Sequence, residues 1–352
     1  MAVFTEVSLQ EADALAKKLK LAPVAQLKGI TGGIENTNYF LTTAQGDQYV
    51  LTLFERLSAE QLPFYLFLMK HLASRGIPVP DPAASPHGEI LHEVCGKPAA
   101  LVDRLRGASV LEPQASHAAR VGDMLARMHL AGQDYQRSQP NLRGLDWWNE
   151  TVPAVLPHIG EAQARLLGAE LAYQNHVAES AAYAALPRGP IHADLFRDNV
   201  MFDTDSEGQL QLTGFFDFYF AGVDSWLFDL AVCLNDWCID LPTGRQDPAR
   251  ARAMAQAYCA VRPLTAAERH LLPALVRAAA LRFWISRLWD FYLPREAALL
   301  KPHDPTHFER VLRERIAYPL GAEALLEESA AGQPAQVEPV SYTHLRAHET
   351  KA

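Results

Sequence analysis

The chain has 352 residues, 49% of them hydrophobic, and carries 41 acidic against 32 basic side chains for a formal net charge of −9. That balance argues against non-specific binding to nucleic acid, which relies on a basic face, and against docking on an anionic membrane surface. The length allows a substantial core and a division into two lobes.

Ser8 to Lys20 predicts a short amphipathic helix, with Ser8 as N-cap and Glu11 completing a capping box. Strand-like runs follow at Val24 to Ile30, Asn38 to Thr43 and Gln48 to Phe54, the first two flanking a Gly-rich turn and the last two joined by Gln45-Gly46-Asp47. Ala59 to Ser74 has a helical stripe, with Pro63 near the start where proline is tolerated. Pro78, Pro80, Pro82 and Pro86 break the chain into extended pieces, and Glu89 to Val94 with Pro98 to Arg104 read as another strand pair. Beyond Gly107 the patterns turn helical: a stripe of Ala118, Val121, Leu125 and Met128, then Trp147 to Ile159, Glu161 to Leu186, Pro248 to Val261, Ala266 to Tyr292 and Thr306 to Tyr318. A hairpin, Val200–Phe202 with Gln209–Phe216, interrupts this helical part.

The expected organisation is α+β and two-lobed. A β-rich lobe over residues 1–103 leads through a hinge at 104–107 to a mainly helical lobe over 108–322. Residues 323–352 read as a linker-like tail, and Val340 to Ala352 matches nothing before it and reads as a non-native extension. Cys95, Cys233, Cys238 and Cys259 form no C-x-x-C pair, and the N-terminal residues lack an apolar run of signal length. No segment has the uncharged length needed to span a bilayer. The expectation is a cytoplasmic protein, monomeric or homodimeric, with no membrane or nucleic-acid partner.

The chemistry concentrates in His192-Ala193-Asp194-Leu195-Phe196-Arg197-Asp198-Asn199 and, after the hairpin, Phe216-Asp217-Phe218. Polar groups in apolar flanks are costly to bury unless paired. A magnesium-bound triphosphate would pair them. Asp194 then orients an attacking hydroxyl and accepts its proton, while Asn199 and Asp217 supply hard oxygen donors to Mg²⁺. Taken singly, each is more often a turn or cap residue; the spacing favours the catalytic reading. His192 reads as structural, Asp198 as a loop residue, and Asp229 as a buried helix-start carboxylate bracing the Asp194 loop through backbone N–H groups.

The turn Gly29 to Asn38, with Gly32, Gly33, Asn36 and Thr37, would cover nucleotide phosphates, although a plain hairpin turn has the same composition. Arg282, Arg287 and Arg295 lie among aromatics; pairing with an acid is the ordinary explanation, and bidentate capture of a substrate carboxylate is the functional one. The six tryptophans read as core, with an aromatic cage for a quaternary ammonium as the sharper alternative.

His192 to Met201 with Phe216-Asp217-Phe218, and the helix Val121 to His129, resemble the aminoglycoside phosphotransferase-like superfamily, a branch of the protein-kinase-like fold. Gly33 to Phe40, Tyr49 to Glu55, Ile191 to Val200, Phe216 to Gly222 and Leu281 to Arg295 resemble more closely its homoserine-kinase branch. The resemblance spans about Met1 to Leu320. It implies Asp194 as catalytic base, Asn199 and Asp217 as Mg²⁺ ligands, and adenine against the backbone of Val102, Asp103 and Leu105. It implies ATP-dependent phosphorylation of the homoserine side-chain hydroxyl, a step toward threonine, with Tyr219, Asp224, Asn235, Asp236, Arg282 and Arg287 around the acceptor. One position departs from the pattern. Where kinase-like folds place a phosphate-holding Lys or Arg, this chain has Thr52, so the Thr52 hydroxyl, Arg56 or Lys28 would take that part. A choline, amino-alcohol or aminoglycoside kinase is the rival reading. A non-catalytic nucleotide-binding module, motivated by Thr52, is the rival of another class.

Overall fold

The computed structural model describes residues 5–30, 36–293 and 303–326. Ser8 caps α1 (Leu9–Lys18), and the reciprocal bonds of the Ser8–Glu11 capping box are both made. A five-stranded antiparallel sheet follows, in the order β1 (Val24–Gly29), β2 (Asn36–Thr43), β3 (Gln48–Phe54), β5 (Lys97–Asp103), β4 (His92–Val94). The helix α2 (Leu62–Ser74), with Pro63 in its first turn, connects β3 to the β4–β5 pair.

Successive side chains of a strand point to opposite faces, and this sheet uses both. Tyr39, Leu41, Leu51, Leu53, Ala99 and Leu101 pack with Ala12, Leu15 and Ala16 of α1 in one small core. Phe54, Ala100 and Val102 turn the other way and join α2 in a core continuous with the large lobe. On that second face the register sets Lys28 opposite Phe40, and Asn38 opposite Thr52.

The large lobe contains α3 (Ala115–Ala131), α4 (Leu145–Val155), α5 (Glu161–Ala178), α6 (Ala181–Ala184), β6 (Arg188–Ile191), β7 (Val200–Thr204), β8 (Leu210–Phe215), β9 (Gly222–Ser225), α7 (Trp226–Trp237), α8 (Pro248–Val261), α9 (Ala266–Tyr292), α10 (Thr306–Ala317) and α11 (Ala322–Leu326). β6 pairs with β9, and β7 with β8, both antiparallel. The long helix expected over Glu161 to Leu186 is two helices, because Ser180 caps α6 with its side chain and starts a new helix there. The β6–β9 pair has no counterpart among the elements read from sequence, and of α7 only the start, at the buried Asp229, was expected. Every residue of α7 is buried, so it lacks the polar face that makes a helix periodic. Leu325 of α11 is buried in the large-lobe core, so that lobe extends past the boundary expected at residue 322.

Between the lobes, the segment after β5 lies tightly on the β7–β8 hairpin. Ala108 and Phe202 exchange backbone bonds of 2.9 Å. A Cβ at Gly107, whose φ is +91°, would meet the Phe202 carbonyl oxygen at 2.2 Å, and one at Gly214 would meet Leu105 Cδ2 at 2.6 Å. Trp148, Trp226, Trp237 and Trp284 are buried in the core, as the packing reading expected. The four cysteines are free thiols. Among the described residues, no helix is long and apolar enough to cross a membrane.

Candidate active site

The loop from His192 to Asn199 joins β6 to β7 beneath the sheet, and its conformation is fixed from below by α7. Ala193 has φ +66°, a left-handed conformation that costs a residue with a Cβ about 1–2 kcal/mol. Asp229 holds it there: its Oδ2 accepts from His192 N and its Oδ1 from Ala193 N, both at 2.8 Å. This is the bracing role expected for Asp229. His129 adds a third bond to the same carboxylate, Nε2 to Oδ2 at 3.1 Å, and Tyr258 caps the other ring nitrogen at 2.8 Å. Burial opposes ionisation of Asp229, but the bonds from His129 and the loop amides hold its carboxyl below the usual range. Burial keeps His129 neutral.

His192 is a staple. Its Nδ1 accepts from Asp194 N at 3.3 Å, so Nε2 carries the proton and donates to the Phe216 carbonyl at 2.9 Å. Its ring is fully buried, and burial pushes its pKa down. Arg197 clamps the far side of the loop to α7. Its N and Nε donate to Asp236 Oδ2, its Nη2 to the Asp236 carbonyl and its Nη1 to the Leu111 carbonyl.

Two further bonds bring the remaining motif residues together. Asn199 Nδ2 donates to the Asp194 carbonyl at 2.9 Å, which turns its Oδ1 away from the loop. Phe216 N donates to the Asn199 carbonyl at 3.0 Å, which sets Asp217 beside Asn199. Asp217 is itself left-handed, with φ +67°. Left-handed non-glycine residues at both Ala193 and Asp217 fit a site whose side-chain aim is imposed by its surroundings. One carboxylate and one amide oxygen are hard-oxygen donors of the kind that a small divalent cation takes alongside phosphate and water. Among the described residues no three His, Cys, Asp or Glu side chains converge into a closed metal site.

The Asp194 carboxyl faces α9. Burial pushes its pKa up to about 7, Arg282 pulls the other way, and Asp217 adds to the rise. Arg282 Nη1 lies 4.0 Å from Asp194 Oδ1. The guanidinium is stacked on Phe283, 3.7 Å from the ring centre, and its Nε and Nη2 have no hydrogen-bond partner among the described residues. Burial lowers its pKa to about 10, which still leaves it a cation at neutral pH. Arg287, further along α9, is also lowered by burial and has Asp194 as its main attractive charge. Tyr219 follows Asp217 and spans the lobes, its ring edge-on to Phe54 and Tyr65 at 5.1 and 6.0 Å.

The structure does not gather every expected contact. Asn235 donates to the Val276 carbonyl at 2.7 Å and accepts from Arg315 Nε at 2.9 Å, so it is committed to the core. Asp236 is committed to Arg197. Asp224 accepts from Arg188 and Asn141, both at 2.9 Å, and sits two residues along β9 from Gly222, the end that abuts the catalytic loop. All three have hydrogen-bond partners inside the protein. On the sheet, Thr37 is fully buried and donates to Glu55 Oε1 at 2.6 Å, away from the nucleotide face. Thr52 donates its only hydroxyl proton to Asn38 Oδ1 at 2.7 Å, so it has none for a phosphate oxygen. Lys97 is bound to Glu55 and Thr5. At the hinge, Asp103 N and Arg104 N already donate to the Asp81 and Gln48 carbonyls. Gly32, Gly33, Arg295 and Val340 to Ala352 lie outside the described residues. The residues that sequence reasoning missed are His129 and Tyr258. No local pattern marks them, because their role exists only where α3, α7 and α8 meet.

A two-lobed α+β fold, with an Asp–Asn–Asp constellation on loops between the lobes, defines a kinase-like phosphotransferase. The chain belongs to the phosphotransferase enzyme family, whose model matches residues 26–270. It is 67% identical to a homoserine kinase of Polaromonas naphthalenivorans, over 91% of this chain and 99% of that one. It is 60% identical to a homoserine kinase of Cupriavidus necator, over 90% of this chain and 96% of the other. Solved structures with the same fold include an amicoumacin kinase, with a TM-score of 0.62 and 17% identity over 84% of this chain and 90% of that one. A spectinomycin phosphotransferase has a TM-score of 0.61 and 13% identity over 89% of this chain and 99% of the other.

Proposed function

We propose that this chain is an ATP-dependent homoserine kinase, transferring the γ-phosphoryl group to the side-chain hydroxyl of L-homoserine to give O-phospho-L-homoserine. The observation that carries phosphotransfer is the linkage from Asp194 through the Asn199 amide and the Asn199–Phe216 bond to Asp217. The acceptor assignment rests on relatives of 57–67% identity over nearly the whole chain.

Asp194 orients the hydroxyl and takes its proton. Asn199 Oδ1 and Asp217 would hold Mg²⁺, which when bound supplies charge neutralisation at the phosphates. Protein groups supply the remaining positioning: Asp229 and His129 fix the loop, His192 ties it to the Asp217 segment, and Tyr219 lines the gap between lobes. The nucleotide lies between a small lobe over residues 1–103 and a large lobe from residue 108, with 104–107 as hinge and Val102, Asp103 and Leu105 at the adenine. Lys28 is the candidate phosphate cation, because it is exposed on the sheet face shared with Asn38 and Thr52.

Turnover of ATP and Mg²⁺ with L-homoserine, choline and kanamycin tests the reading. Homoserine is expected to be the preferred acceptor by a wide margin, since the buried Arg282 beside Asp194, with the half-buried Arg287 further along α9, repels acceptors that carry only positive charge. Preference for choline or kanamycin, or absence of turnover with all three, would refute it.

A further inference from the structure

Arg282 is the most conspicuous polar group without a role in the machinery described above. It is 3% exposed, and a guanidinium taken out of water needs compensation from a charge or from hydrogen bonds at each N–H. Arg197, buried to a similar degree, has that compensation on every nitrogen. Arg282 does not: among the described residues Nε and Nη2 have no partner, and Nη1 stands 4.0 Å from Asp194, beyond hydrogen-bond range. The Phe283 ring beneath it, with Phe220 5.2 Å away, fixes the plane of the fork without satisfying it. A planar fork with two open donors, held beside the group that receives the hydroxyl, is complementary to a carboxylate.

We infer that Arg282 is the docking cation for the acceptor's α-carboxylate, and that it makes a carboxylate near the hydroxyl a condition of being phosphorylated. This deepens the homoserine reading and rests on it. The hydroxyl oxygen and the carboxylate carbon of homoserine are separated by roughly 4–5 Å, by ordinary bond lengths. That matches a molecule reaching from Asp194 to the neighbouring guanidinium. In the free site Asp194 is the nearest counter-charge to Arg282. The arriving carboxylate takes over that task and leaves the Asp194 carboxylate to the hydroxyl proton. A docked carboxylate also explains why a kinase built on a fold shared with antibiotic kinases keeps an unpaired arginine where a polycationic acceptor would be repelled.

The test compares kcat/KM for L-homoserine, L-homoserinamide and 3-amino-1-propanol in the wild-type enzyme, in R282Q and in R282K, with nucleotide affinity as the check on folding. The wild type is expected to discriminate against the two analogues that lack the carboxylate by about 10³-fold or more, because they leave buried donors unpaired. R282Q is expected to lose about 10²-fold or more on homoserine, mainly in KM, and much less on 3-amino-1-propanol, where only the lost pull on the Asp194 pKa is felt, so that the preference collapses. R282K should recover part of it, having charge without the fork. Wild-type enzyme that uses the amide as well as the acid would overturn the inference with no substitution involved. So would an R282Q variant that slows all three acceptors equally, which would leave Arg282 as a partner of Asp194 alone. Failure of the wild type to use homoserine at all would instead overturn the reading beneath it.

Discussion

The loop between β6 and β7 and the five-stranded sheet treat polar residues in opposite ways. In the loop, buried carboxylates from α7 satisfy the backbone: Asp229 takes the amides of His192 and Ala193, and Asp236 takes Arg197. The side chains of Asp194 and Asn199 are thereby set toward the cleft. On the sheet, side chains satisfy one another: Thr52 with Asn38 on one face, and Thr37 and Lys97 with Glu55 on the other. Thr52 stands where kinase-like folds place a phosphate-holding cation, yet its donor is spent. A polar residue in a motif position becomes a site only when its neighbours leave its hydrogen-bonding capacity unused.

The sharpest way to break that contrast is at Asp194. Asp194→Ala is expected to lower kcat about 10³-fold or more while the circular dichroism spectrum and melting temperature stay near wild type. An undiminished rate would remove the base assignment. Asp217→Ala should cause a loss of similar size, accompanied by a steep rise in the magnesium concentration needed for half-maximal rate; an unchanged magnesium titration would show that the cation lies elsewhere.

Asp229→Ala attacks the supports instead. It leaves two loop amides and His129 unpaired in the core, so stability should fall by about 3–5 kcal/mol, read from denaturant unfolding. His129→Ala removes one support only and should lower kcat more than it raises KM for either substrate; a pure stability effect with unchanged kcat would make His129 structural alone.

The acid side of the pH profile follows from Asp194. Its folded-state pKa is raised to about 7 by burial, and only the ionised form accepts the proton. Activity should therefore be full above that pKa and fall about tenfold per unit below it, measured as kcat/KM for homoserine against pH. The sign for stability is the reverse of the usual carboxylate case: a raised folded pKa means that the native state is favoured below it and loses part of that advantage as pH rises through it.

The smallest effects belong to the sheet. Thr52→Val should cost about 1–2 kcal/mol of stability, by orphaning Asn38, and leave KM for ATP within about threefold. Lys28→Ala should do the converse, raising KM for ATP by about tenfold with stability within about 0.5 kcal/mol of wild type. Exchange of those two outcomes would reverse the assignment of the phosphate cation.

The sequence already carried the chain order of most elements, because their signals are local. The Ser8 capping box, the β3 span and the α8 and α9 spans all needed only periodicity, caps and turn residues. It also singled out His192, Asp194, Asn199 and Asp217, since four positions in two short segments make a motif that chance seldom produces, and it gave Asp229 its bracing part. Failures came where burial is complete or partners are distant. The helix α7 has no polar face to betray it. Asn235 and Asp236 sit one residue apart in that helix and looked like cleft residues until Arg315 and Arg197 were seen to occupy them.

Reading residues alone determined which chemical groups are present and in what order: a base, two hard donors, a Gly-rich turn, and arginines on a long helix. Folding alone decided which of those groups are left with unmet hydrogen bonds. Thr52 and Arg282 both read as candidate ligand contacts, and the structure separates them because hydrogen-bond satisfaction depends on atoms brought together from distant parts of the chain. Thr52 meets Asn38 across a strand pair, and Arg282 meets only Asp194, at a distance that leaves its fork open.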